Sequence, residues 1–257
     1  MVNNQYASPL IDLQSVSKTY GSGTIALDRV STQIAQGSFV SLVGPSGCGK
    51  STLLRIIAGL ITPSSGALAW GGPDGIRPDD IGFVFQDATL MPWARVFENV
   101  FLPLKLRGVS RQDAEPRIMN ALTRVGLADF AQSFPRELSG GMRMRVSIAR
   151  ALVMRPPVLL MDEPFAALDE FTREKLDDDL LELWQAENWT VVFVTHSVYE
   201  SVFLSERVLV MGARPGRLLR DISVDMPYPR GRAFRESHDY VIRCAEISAA
   251  LREGSEA

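Results

Sequence analysis

One nine-residue segment constrains the fold of this chain more than any other: Gly44-Pro45-Ser46-Gly47-Cys48-Gly49-Lys50-Ser51-Thr52. It fits the pattern G-x-x-x-x-G-K-S/T. The β-rich run Ser38 to Val43 leads into it, and Leu53, Leu54, Ile56 and Ile57 fall on one side of the helix predicted to follow. Glycines in such a loop let successive backbone N–H groups point inward at phosphate oxygens, which side chains would obstruct. The new helix aims its positive end at the same anion. Lys50 is then expected to reach the β- and γ-phosphates of a nucleotide, and the Ser51 hydroxyl to ligate Mg²⁺. A glycine-rich turn could match by chance, but not readily between a strand and a helix.

Around that loop the pattern is α/β, with short apolar runs alternating with helical periodicity. Leu10 to Val16 and Leu27 to Ile34 alternate with short connections and predict a small antiparallel sheet. Ile81 to Phe85, Val158 to Met161 and Val191 to Thr195 read as buried parallel strands. Between the first two of these lies a helical insertion, from Asp87 to about Arg155. Ile118, Leu122 and Val125 share a helix face that stops at Gly126. Met142, Val146, Ala149 and Val153 repeat the spacing, with Ser139 as N-cap and Pro156-Pro157 beyond the end. Leu176, Leu180 and Leu183 mark a further amphipathic helix, and Glu236 to Leu251 a terminal one.

Composition narrows the partners. With 46% hydrophobic and 22% charged residues the chain has the balance of a folded soluble protein. A net charge of −3 gives no basic field to hold nucleic acid by counterion release, so no nucleic-acid partner is expected. No apolar run approaches the roughly 20 residues that span a bilayer, and Met1 to Leu10 lacks the layout of a secretory signal. Cys48 and Cys244 make neither a metal-ligand spacing nor a disulfide framework, which fits a reduced cytosolic compartment. If a membrane is involved, the protein is expected to sit against it.

The run Val158 to Met161 ends in Asp162 and Glu163. Strand alternation points two successive acids to different places. Asp162 is expected to hold Mg²⁺ through water, leaving Glu163 to orient and polarise the water that attacks the γ-phosphate. Two solvated acids at a strand end would look the same in isolation; downstream of a phosphate loop they read as a site.

Between loop and acids lies Leu138-Ser139-Gly140-Gly141-Met142, and with it the chain resembles the nucleotide-binding subunits of ATP-binding cassette (ABC) transporters. The fold that follows is a P-loop NTPase core with a mostly parallel sheet, an N-terminal antiparallel β subdomain and an inserted α-helical subdomain, over a single domain of residues 1–257. The resemblance covers about Leu10 to Met226. It implies that Ser139, Gly140 and Gly141 form a signature segment, a second anion site at a capped helix start. Each ATP would lie between the phosphate loop of one subunit and the signature of a second copy or a homologous cassette, in a head-to-tail pair with two-fold symmetry.

Other family elements occur in order. Tyr20 matches the aromatic that stacks on adenine, and Gln86 the glutamine that reaches Mg²⁺ and the attacking water. Asp169, in Ala167-Leu168-Asp169, matches the loop that crosses the dimer interface, and His196 the switch histidine at the γ-phosphate. His238 has no such context and reads as surface. Two positions depart from the pattern. Met142 stands where glutamine is frequent, and Ser197 where aspartate is common, which leaves the support of His196 open.

The resemblance also implies transmembrane permease subunits as partners and a place on the cytoplasmic face of the cell membrane. A short permease helix would enter a groove beside Gln86, lined by Leu90-Met91-Pro92-Trp93. Met91-Pro92-Trp93 and Gly212-Ala213-Arg214-Pro215-Gly216-Arg217 are similar to importer ATPases of the nitrate, sulfonate and taurine group, which work with an extracytoplasmic solute-binding protein. The stretch after Met226, about 227–257, is too short for a separate regulatory domain. Competing readings are a soluble cassette of translation or repair, a subunit that binds ATP without cleaving it, and the ATPase of an exporter. The first lacks the second cassette or coiled-coil insertion it would carry, and the second would be favoured by loss of Glu163 or His196, which are present.

Overall fold

The computed structural model describes residues 9–71, 76, 80–187 and 189–254. In chain order its strands are β1 (Ile11–Thr19), β2 (Ile25–Ile34), β3 (Phe39–Val43), β4 (Ser65–Trp70), β5 (Ile81–Val84), β6 (Val158–Asp162), β7 (Thr190–Thr195), β8 (Arg207–Met211) and β9 (Leu218–Ser223). Its α-helices are α1 (Lys50–Ile57), α2 (Val96–Leu106), α3 (Arg111–Arg124), α4 (Gly140–Leu152), α5 (Glu170–Glu187), α6 (Val198–Leu204), α7 (Arg232–Arg235) and α8 (His238–Glu253).

The strands form two sheets. One is antiparallel, in the order β2-β1-β4; the other runs β5-β6-β7-β3-β8-β9, parallel except for the β8–β9 pair. Every residue of β3, β6 and β7 is buried, as expected of central parallel strands covered on both faces. One apolar cluster fills the space between the two sheets, with Leu53, Leu54, Ile56 and Ile57 of α1 in it. The other lies across the large sheet, where Phe39, Met161 and Phe193 meet side chains of α2 to α6 and α8.

Helices α2, α3 and α4 lie between β5 and β6, where the sequence placed a helical insertion. Local chemistry sets their ends. The Ser110 side chain accepts from the Asp113 N–H to start α3. At its end Gly126 adopts φ 69°, the Leu127 N–H bonds to the Leu122 carbonyl and the Gly126 N–H to that of Thr123. The Ser139 hydroxyl accepts from the Met142 N–H at 3.2 Å, the predicted cap of α4.

Strand register aligns the chemistry. Val43 pairs with Thr195, Asp162 with Val194, and Val84 with Met161. The carboxyl ends of β3, β6, β7 and β5 therefore lie side by side, and the segments that follow them carry Lys50, Glu163, His196 and Gln86. Crevices at such strand ends are where open parallel sheets bind ligands.

Two strands were not foreseen. In β4, Ser-Gly-Ala-Leu-Ala-Trp has little β-branched character, and its residues are exposed or half-buried. Strand β8 has the reverse problem: Arg207–Met211 is a short apolar run that periodicity alone does not separate from a helix. The terminal helix α8 begins two residues later than expected, at a Ser237 cap, and buries Tyr240, Cys244, Ile247 and Ala250.

Candidate functional site

The loop from β3 to α1 is shaped by backbone positions that other residues would not tolerate. Gly49, the N-cap of α1, sits at φ 98°, and a Cβ there would come within 2.6 Å of the Ala26 carbonyl oxygen. Gly47 sits at φ 75°. Left-handed geometry of this kind strains residues with a side chain, so both positions favour glycine. Lys50 is only 4% exposed. Its Nζ donates to the carbonyls of Gly44 at 2.9 Å and Pro45 at 3.2 Å. Cys48 faces the core, where burial raises its thiol pKa.

This loop forms one wall of a cavity of about 280 Å³. Ser46, Gly47, Gly49, Lys50, Ser51 and Thr52 line it, together with Tyr20 and Glu163 from other elements. The Tyr20 hydroxyl lies 3.2 Å from Thr52 Oγ1, which sets the ring at the mouth. Gly44, Pro45 and Cys48 belong to the same loop but do not line the cavity; the first two contribute carbonyls to Lys50 instead.

The two acids diverge for a reason that strand alternation does not supply. Asp162 is the last residue of β6, whereas Glu163 has left the strand with φ 48° and donates its N–H to the Val194 carbonyl at 2.9 Å. A left-handed conformation costs roughly 1–2 kcal/mol for a residue with a Cβ. It turns the Glu163 carboxylate toward the cavity, with Oε1 3.7 Å from Lys50 Nζ and Oε2 3.3 Å from His196 Nδ1. Asp162 accepts from the Ser51 hydroxyl at 2.7 Å. Burial raises the Asp162 pKa, against the lowering effect of the Ser51 hydrogen bond, so a nearby cation would favour its charged form. Ser51 and Asp162 are hard oxygen donors and fit Mg²⁺ completed by phosphate oxygens. Among the described residues no cluster of three or more His, Cys, Asp or Glu could hold a metal.

Other expected site residues stand apart from this cavity. Gln86 is exposed just beyond β5. Ser139 and Gly140 are exposed at the start of α4, and Gly141 is buried there, where a Cβ would meet Thr172 of α5 at 2.7 Å. Asp169 caps α5: its Oδ1 accepts from the Thr172 N–H at 3.0 Å, and that bond holds its carboxyl below the usual range. None of these five lines the cavity that holds Lys50.

His196 is half exposed, on a segment pinned from below. The Thr195 hydroxyl donates to Glu200 and accepts from the Ser197 N–H at 2.9 Å. Glu200, buried, with its carboxyl pKa raised by that burial, faces Arg173 Nε at 3.6 Å. Arg173 in turn donates to the Leu168 carbonyl at 2.9 Å. The residue following the histidine is thereby tied to the loop before α5. Ser197 caps α6, accepting from the Glu200 N–H at 3.3 Å. A serine does here the capping that an aspartate could do.

Sequence reasoning missed three cavity residues, Thr24, Ala26 and Arg214. The first two are small residues with no motif around them. Arg214 lay inside a segment noted only for its likeness to one transporter group.

A buried lysine in a glycine loop at the carboxyl ends of a parallel sheet, facing an acid that a histidine beyond the adjacent strand contacts, defines a phosphate-loop nucleoside triphosphatase. The three-helix insertion between β5 and β6, with a capped Ser-Gly-Gly start, narrows that class. A family model described as ABC transporter matches residues 27–166. The chain belongs to that family, as an ATP-binding cassette that hydrolyses ATP. The taurine import ATP-binding protein TauB of Rhizobium johnstonii is 47% identical over 236 residues, 91% of this chain and 88% of that one. The nitrate import ATP-binding protein NrtD of Synechocystis is 42% identical over 250 residues, covering 95% and 94%. Among solved structures, the dimeric bacterial ABC transporter cassette MJ0796 superposes with a TM-score of 0.72 at 36% identity, over 84% of this chain and all of that one. A post-hydrolysis dimer of the same cassette, bound to ADP and Pi, gives a TM-score of 0.73 with the same identity and coverage.

Proposed function

We propose that this chain is the ATP-hydrolysing subunit of an importer of the taurine, nitrate and sulfonate type. It works as a head-to-tail pair on the cytoplasmic face of the membrane, beneath separate permease subunits that receive solute from an extracytoplasmic binding protein. One observation carries the pairing: Lys50 and Glu163 line one cavity, with His196 3.3 Å from Glu163, while Ser139 and Gly140 present an exposed helix start elsewhere on the same protomer. A triphosphate held by the loop has its γ-phosphate free on one side, and an anion-binding helix start of a second copy supplies the missing donors.

In the closed pair Lys50 exchanges its hydrogen bonds to Gly44 and Pro45 for phosphate oxygens. Glu163, held between Lys50 and His196, orients a water in line with the γ-phosphate and accepts its proton as the bond forms. His196 steadies the carboxylate on one side and faces the γ-phosphate on the other, and Gln86 approaches from the end of β5. Mg²⁺, held by Ser51 and Asp162, would neutralise charge developing on the β- and γ-phosphates. Tyr20 stacks on the adenine, and Asp169 lies at the seam between the protomers. Once the γ-phosphate is cleaved and released, the contacts that favoured closure are gone and the pair reopens.

Substitution of Ser139 by arginine tests the pairing. In mixed pairs of one variant and one intact subunit, the variant's own phosphate loop should stay active and its partner's should fail. Turnover should fall to about half that of the intact pair, because one of its two sites loses the donors that act on the γ-phosphate. If the mixed pair turns over at the full rate, the signature of one protomer does not serve the other.

Movement reaches the permease through the helical insertion. A groove of about 390 Å³ beside the Gln86 segment has Phe83, Phe85, Leu102, Leu106 and Met154 among its walls. Arg150 borders it and donates to the carbonyls of Ala88 and Thr89, joining groove and segment. Met91 and Trp93 line a second depression of about 520 Å³ that shares Leu102 with the first. Trp93 is 77% exposed and Leu106 78%, an apolar surface that suits an amphipathic partner helix. Cysteines placed at 93 and 106 should form disulfides with cysteines in the short cytoplasmic helices of the permease, with yields that change on ATP addition. No cross-link in any nucleotide state would remove this docking surface.

A further inference from the structure

The turn between β8 and β9 is built against the nucleotide cavity, though nothing in the mechanism above uses it. The Gly216 N–H donates to the Ala26 carbonyl at 3.1 Å, and the Asp28 N–H donates to the Gly216 carbonyl at 2.9 Å. Across the same seam Arg217 Nε donates to Asp28 at 2.8 Å. Three contacts thus staple the turn to β2, on the side of the cavity formed by Tyr20, Thr24 and Ala26. A Cβ on Gly216 would come within 2.0 Å of the Cys48 carbonyl, so the turn lies directly on the phosphate loop.

This places Arg214 at the cavity wall. Its Nε donates to the Gly47 carbonyl at 2.8 Å, and Nη2 would lie 2.6 Å from a Cβ at Gly47. The guanidinium therefore lies flat on the segment that cradles phosphate. No hydrogen bond from its Nη atoms and no ion pair is seen among the described residues. Arginine's planar fork can hold a carbonyl with one nitrogen and an anion with the others.

We propose that Arg214 is a nucleotide-binding residue, whose Nη groups bond to the phosphate chain of ATP while Nε holds the phosphate loop at Gly47. The β8–β9 turn is then a further wall of the site, supplied by the end of the sheet opposite β5. The inference rests on this cavity being the triphosphate site.

The test is equilibrium titration of the full chain with ATP, ADP and inorganic tripolyphosphate, each with Mg²⁺. Arg214→Ala should weaken all three by about five- to tenfold, the size of one charge-assisted contact at a partly exposed site, and raise KM for ATP with little change in kcat. Arg214→Lys should recover part of the loss. If Arg214→Ala binds tripolyphosphate as tightly as the parent chain, or lowers Tm while affinity stays unchanged, the residue is only a staple and the proposal fails. Lys50→Ala serves as the control. If the parent chain does not bind tripolyphosphate, or Lys50→Ala binds it as tightly as the parent, the reading of the cavity fails; if Lys50→Ala weakens binding and Arg214→Ala does not, the assignment of Arg214 fails alone.

Discussion

Glu163→Gln is expected to bind ATP as the parent chain does and to lose about 10²- to 10⁴-fold in kcat, the range supplied by a positioned general base. The amide keeps the size of the side chain and can still meet His196, now 3.3 Å from Oε2. It loses the negative charge that faces Lys50 at 3.7 Å and that accepts a proton from water. Binding should not suffer, because the carboxylate repels the phosphates it sits beside, and the neutral amide removes that repulsion. The closed pair should then accumulate with uncleaved ATP. Size-exclusion chromatography in MgATP should show a dimer peak that the parent chain forms only transiently, and a single-turnover assay should show ATP persisting. Hydrolysis at the parent rate would mean that another group handles the water. Glu163 is held at its angle by the N–H bond to Val194, so the variant should retain the kinked backbone and report on charge alone.

Much of this site was legible because its chemistry is local. A glycine loop between a strand and a helix, a serine three residues before a free N–H, and a glycine after an apolar face each act within a few residues. They fixed the ends of α1, α3 and α4 correctly. What could not be read depends on distant partners. Strand β4 exists because β1 offers it an open edge, from Ile11–Trp70 to Ser17–Ser65. The direction of Glu163 follows from a backbone kink held by a neighbouring strand, whereas alternation assumed a continuing β6. The backbone around Ser197 is set by Thr195, Glu200 and Arg173, three residues from separate elements. Arg214 shows the limit most clearly. Its segment was visible as a pattern, but its place beside Gly47 comes from β8 lying next to β3 and from a turn folded back onto β2.

Lys50→Ala is expected to cost more than any other single substitution in the loop. Lys50 is almost fully buried, with its ammonium hydrogen-bonded to Gly44 and Pro45 and 3.7 Å from Glu163. Those partners hold the cation at the cavity wall, so its charge is oriented toward phosphates bound there. Removing an oriented donor to developing charge typically costs about 10²- to 10³-fold in kcat, or about 2.7–4 kcal/mol. Here the same group also binds the ground state, so affinity for ATP should fall as well. Global stability should change little. The space left by the Lys50 side chain opens on the cavity, so water can reach the two carbonyls, and the Glu163 side chain is 21% exposed, enough to hydrate without its partner. Calorimetric Kd, steady-state turnover and Tm measured on one preparation separate these effects. A variant with unchanged Tm and lost turnover assigns Lys50 to the phosphates. Near-normal turnover would instead show that the loop's backbone N–H groups suffice and that the buried ammonium serves only to close the loop.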